Sequence, residues 1–140
     1  VGEYLESLAN GKPIEIKPEE EWCGSVKVSI PPYPYPKGAE DMAGRPVGDM
    51  ANRTAEDMLG DENIWWLDVV MDKDGLACAG TDCVICEVTS CGDFDSIGED
   101  IYGIIDELVI PDLSCRSDGI KEMKERHDEL EELGYFGEEY

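Results

Sequence analysis

Four prolines within six residues, Pro31, Pro32, Pro34 and Pro36, fix where the first strand of this chain must end. Proline has no backbone N–H and a locked φ, so such a run cannot continue a central β-ladder. Just before it, Val26, Val28 and Ile30 alternate with Ser25, Lys27 and Ser29, the period of a half-buried strand. A strand over 22–30 therefore runs into an extended, stiff Pro/Tyr loop.

Residues 37–63 read as loop, rich in Gly, Asp and Glu, with a short helix around Ala55 to Leu59. The four residues Ala39–Met42 recur at Ala55–Met58, too short an echo for a structural repeat. Ile64 to Met71 is strand-forming, the turn Asp72-Lys73-Asp74-Gly75 reverses the chain, and Leu76 to Ala79 returns as a hairpin. Cys83 to Thr89 is a further strand, expected to be buried on both faces through Val84, Ile85, Cys86 and Val88.

Two helices follow. Ser96 and Glu99 have capping-box spacing, and Ile97, Ile101, Ile104, Ile105 and Leu108 recur at helical intervals up to Pro111. The second helix begins after Asp118, with Ile120, Met123, Leu130 and Leu133 on one stripe and Gly134 at the position of a left-handed C-cap. At the other end, Tyr4, Leu5 and Leu8 share one face before Gly11 and Pro13, as the end of a helix. Residues 1–12 thus read as the end of a helix belonging to an upstream region, and 13–140 as one α+β domain. Its expected form is a mainly antiparallel sheet with two helices packed on it.

The 34 acidic and 11 basic residues give a formal charge of −23, a field that repels nucleic-acid backbones and anionic lipid head groups. No apolar run reaches the roughly 20 residues that span a bilayer. A chain of 140 residues has core enough not to need disulfide staples, so the six cysteines point to a reduced, cytoplasmic setting.

Cys83 and Cys86 have zinc-knuckle spacing, flanked by Cys78 and Cys91. Val84 and Ile85 between them are β-formers, however, and strand spacing sends the two thiols to opposite faces. The four are expected to be buried, inert thiols without metal or redox chemistry. Asp72 and Asp74 fit a hairpin turn better than a calcium loop, which needs further acidic positions. His127 lies among charged residues with no nucleophile near it in sequence and is expected on the surface of its helix. Of Trp65 and Trp66, one should face the core and the other an interface.

The order of elements carries a resemblance. The strand to Ile30 leads into Tyr33-Pro34-Tyr35-Pro36-Lys37-Gly38; then come Ile64 to Val70, Asp74-Gly75, Ala79-Gly80, the helix from Ile97 to Leu108, and Arg116-Ser117-Asp118. Over most of residues 1–120 this resembles the C-terminal domain of phosphoribosylamine-glycine ligase, an ATP-grasp enzyme of purine biosynthesis. Two departures stand out: no His-Ala-Gly-Thr stretch follows Trp65-Trp66, and Thr81-Asp82 replaces the family's Gly-Arg pair.

The resemblance implies that the chain forms one wall of the substrate cleft of a ligase joining glycine to 5-phosphoribosylamine. Arg116 and Asp118 would then be its substrate-binding residues, with no catalytic residue and no metal in this segment. ATP and Mg²⁺ would be held by the upstream ATP-grasp domains of the parent chain, so the segment alone would not catalyse. Asp118 also has a purely structural reading, as the N-cap of the last helix. A reading of another class is a non-catalytic acidic interaction domain that binds a basic protein partner.

Overall fold

Two four-stranded antiparallel sheets and four helices make up the chain in a computed structural model, an α+β arrangement that describes residues 2–12, 22–35 and 37–135. The elements run α1 (Gly2–Ala9), β1 (Trp22–Ser29), β2 (Pro46–Asp49), α2 (Ala55–Leu59), β3 (Ile64–Trp66), β4 (Val69–Asp72) and β5 (Gly75–Cys78). They continue with β6 (Val84–Gly92), α3 (Phe94–Glu107), β7 (Leu108–Val109), β8 (Ser114–Cys115) and α4 (Gly119–Glu132). A 3₁₀ turn, Ala39–Met42, precedes β2. The expected break at Pro13 lies outside the described residues.

The first sheet has the order β3-β6-β1-β8 and the second β4-β5-β2-β7. β1 ends where the prolines require: Ile30 is buried and donates its N–H to the Cys83 carbonyl, and the chain then turns. One face of the first sheet carries Val26, Val28, Ile64, Cys86 and Val88, all buried. Against it lies α3 through Ile97, Ile101 and Ile105. Gly24 permits that approach, because a Cβ there would lie 2.6 Å from the Ile97 side chain and 3.1 Å from that of Ile101.

The single expected strand over Ile64 to Met71 divides in two. Asp68 is buried between β3 and β4, and its carboxylate accepts from the N–H groups of Gly80 and Thr81 and from the Thr81 hydroxyl. A carboxylate at that depth must be satisfied, so the chain leaves the first sheet to reach those donors and pairs in the second. The hairpin itself forms as expected, with Asp72 facing Gly75. Pro46–Asp49, which reads as loop in sequence, is a strand between β5 and β7. The two Ala-Glu-Asp-Met echoes are both single helical turns whose methionines, Met42 and Met58, plug the core.

Three expectations about the helices and cysteines are corrected. The cap of α3 is Asp93, three residues before the expected Ser96, because β6 runs on to Gly92 and the Asp93 side chain accepts from the Asp95 N–H. The α4 stripe is largely uncovered: Ile120 is half-buried, but Met123 is 59% and Leu133 72% exposed. α4 does end as expected, with Gly134 at φ +73° and a Schellman pair, Gly134 N–H to Glu131 and Tyr135 N–H to Leu130. Cys23 and Cys91 form a disulfide, because the β1–β6 register sets them face to face on the sheet's solvent side.

Candidate functional site

The segment between β8 and α4 carries Arg116 and Asp118. Strand β8 pairs Cys115 with Val28, which delivers Arg116 to the side of the sheet beside Lys27. Its guanidinium donates from Nε to Asp118 (2.7 Å) and from Nη2 to Glu122 (2.7 Å). The two carboxylates hold the planar fork in one orientation, yet Arg116 stays 67% exposed. The hydrogen bond to Asp118 keeps the guanidinium charged, and the same bond lowers the Asp118 pKa.

Asp118 stands at the N-cap position of α4, but its side chain accepts no backbone N–H there. The carboxylate is turned toward Arg116 instead. Beside this cluster lies an open groove of about 450 Å³ whose lining includes Lys27, Tyr33, Arg116, Glu122 and Arg126. Three of the chain's 11 basic side chains line it; Arg116 and Lys27 are paired with carboxylates, and Arg126 has no ion-pair partner among the described residues. Its second and third cations, Lys27 and Arg126, had no sequence signal: they are 99 positions apart by number and meet only because α4 folds back along β1.

His127 is not the plain surface residue its sequence neighbours suggest. Its ring lies edge-on to Trp22 with centroids 4.8 Å apart and tilted to Phe94 at 6.0 Å, which ties α4 to the starts of β1 and α3. Asp128 and Glu131, both exposed, lie near it on α4. The Trp pair divides much as expected: Trp66 donates to the Met58 carbonyl (2.9 Å) and packs against the core, whereas Trp65 is exposed and donates to Thr89.

Burial disfavours the thiolate form of the four free cysteines. Cys86 is fully buried and its pKa is pushed up to about 12 by desolvation; burial raises Cys78, Cys83 and Cys115 as well. Cys91, one of the four thiols with zinc-like spacing, is committed to Cys23.

The turn at Gly80-Thr81-Asp82 is occupied by the chain's own Asp68. Burial pushes that carboxyl up, but the Thr81 hydroxyl and the N–H groups of Asp82, Thr81 and Gly80 outweigh it and hold the pKa below the usual range. No protein-family model and no curated protein matches the chain.

Proposed function

We propose that this chain is the closing domain of an ATP-dependent carbon–nitrogen ligase of the phosphoribosylamine-glycine ligase kind, and that it walls one side of the substrate cleft. The observation that carries the reading is Arg116. It follows the strand, Pro/Tyr loop, hairpin, strand and helix in the order that raised the resemblance, and it is exposed with its fork pre-oriented beside Lys27 and Tyr33.

In this reading the amine of 5-phosphoribosylamine attacks the acyl phosphate of glycine, the new C–N bond forms, and phosphate leaves. The part of this domain is to grip the phosphoribosyl end. A guanidinium suits that task because its planar donors match phosphate oxygens in pairs. The described residues do not fit ATP or Mg²⁺: the sequence has no glycine-rich phosphate loop and the net charge of −23 opposes a triphosphate. ATP, Mg²⁺ and a cytoplasmic setting therefore belong to the parent enzyme of this proposal. In a reducing cytoplasm the exposed Cys23–Cys91 bond would be open.

The test is kinetic, on the full-length parent. Arg116→Ala should raise KM for 5-phosphoribosylamine roughly tenfold or more and leave KM for ATP unchanged. Unchanged substrate affinity would remove Arg116 from the cleft. An upstream coding sequence lacking an Asn-Pro-Arg-x-Gly-Asp-Pro-Glu stretch would count against the ligase reading as a whole.

A further inference from the structure

Among the described residues, the side of β1 away from β6 carries no paired strand over its first half. Strand β8 reaches only Val28 and Ser29, and among the described residues no other strand pairs there. Which backbone groups face that edge follows from the ladder. Thr89, the register partner of Ser25, donates its N–H to the Asn63 carbonyl beside β3 (2.8 Å). Ser25 and Thr89 are therefore a pair that exchanges no backbone bonds. Cys23 and Cys91, two residues along and with Cα atoms 4.0 Å apart, are of the same kind. The N–H and C=O groups of Cys23 and Ser25 thus point away from β6.

Between this edge and α4 runs a slot with two unlike ends. Toward Lys27 and Arg126 it is the groove already described. Toward the start of β1 it continues, through Ser25, Ile120 and Met123, into an apolar space of about 240 Å³ walled by Trp22, Phe94 and Ile97. Consecutive residues 22–27 line one side of the two spaces, as a strand edge does.

We propose that this slot takes an extended peptide segment of a partner protein, added as a strand against Cys23–Ser25. An apolar side chain of the peptide enters the Trp22–Phe94 end, and one carboxylate meets Arg126. Main-chain bonds supply strength in such pairing and alternate side chains supply selectivity. Charge argues for the carboxylate: Arg126 has no ion-pair partner among the described residues, and Lys27 has only an exposed contact with Glu87 at 3.6 Å. Charge also limits the acid content, because −23 repels a longer acidic tract. A second copy of the chain is disfavoured by the same repulsion. This inference stands apart from the ligase reading.

The experiment is hydrogen exchange and peptide titration of this chain by NMR. Free, the amides of Cys23 and Ser25 should exchange quickly while those of Gly24 and Val26 are protected; protection of all four at any dilution would overturn the open edge. The probe is a capped peptide, Thr-Phe-Thr-Val-Thr-Glu-Thr, whose Phe and Glu fall on one face of a strand. It should bind saturably and protect Cys23 and Ser25, whereas the same peptide with Lys for Glu should bind roughly tenfold more weakly.

Arg126→Glu should reverse that preference without touching the strand edge. Ser25→Pro should keep the fold, since an edge N–H is dispensable, and abolish binding; if it unfolds the chain, Arg126→Glu still decides. No binding, equal binding of both peptides, or protection that appears only as protein concentration rises would each overturn the proposal, the last in favour of self-association.

Discussion

Two arginines in this molecule each sit between two carboxylates, and the two clusters differ almost entirely in burial. Arg53 bonds Asp49 and Asp61, with Asp49 wholly buried and Arg53 only 30% exposed. Arg116 bonds Asp118 and Glu122 in the open. The first closes the loop from β2 to β3, since Asp49 also accepts the Arg53 N–H and Asp61 that of Asn63. The second closes nothing behind it. Identical chemistry therefore does a structural task where water is excluded, and leaves a charged group available where water remains.

The largest effect that can test this contrast is Arg53→Ala. It leaves the Asp49 carboxylate buried beside an empty space, and removing one partner of a buried pair costs about 3 kcal/mol or more. Chemical denaturation should show that loss; a change no greater than that of an exposed substitution would erase the distinction between the clusters.

Acid sharpens the same point. The hydrogen bond from Arg53 lowers the Asp49 pKa below its ordinary value, so its stabilisation is present above about pH 4 and is lost as pH falls through the folded-state value. Without Arg53, burial favours the protonated acid, and the sign reverses: the deficit of Arg53→Ala should shrink below about pH 4. Parallel stability curves for the two proteins from pH 7 to 3 would refute the buried pair.

Little of this contrast could be read in the sequence. Arg116-Ser117-Asp118 is contiguous and stands before a helix, so it draws attention; Asp49, Arg53 and Asp61 are scattered through a stretch that reads as polar loop. Their proximity depends on β2, whose Pro46-Val47-Gly48-Asp49 has no alternation to announce a strand. By contrast β1, the hairpin, β6 and α3 were legible, because each carries a period of its own or a turn signal. The failures at α4 and Cys23 share a cause. A helical stripe does not say whether anything covers it, and a register that sets two cysteines opposite each other is a tertiary fact.

A smaller effect is expected from Arg116→Ala in this chain by itself. The cluster is exposed and screened by salt, so the melting temperature should hold within error, whereas the parent enzyme proposed above should lose substrate affinity. A clear loss of stability would make Arg116 a second Arg53, and its availability to a substrate would fail with it.

The smallest effect separates Asp118 from the cap that its position suggests. An aspartate that truly caps a helix stabilises it through a backbone N–H, asparagine does nearly as well, and alanine lowers the melting temperature by a few degrees. Here the Asp118 carboxylate is bonded to Arg116 and to no backbone N–H of α4. Asp118→Asn and Asp118→Ala should therefore melt alike and close to the parent, measured by circular dichroism at 222 nm. Asparagine keeps an oxygen that accepts from Arg116 and alanine does not, so in the parent enzyme proposed above Asp118→Ala should raise KM for the phosphoribosyl substrate more than Asp118→Asn, and both less than Arg116→Ala. If alanine alone destabilises the chain and asparagine restores it, Asp118 is a cap. Arg116 then loses one of the two carboxylates that orient it, and the open cluster is held by Glu122 alone.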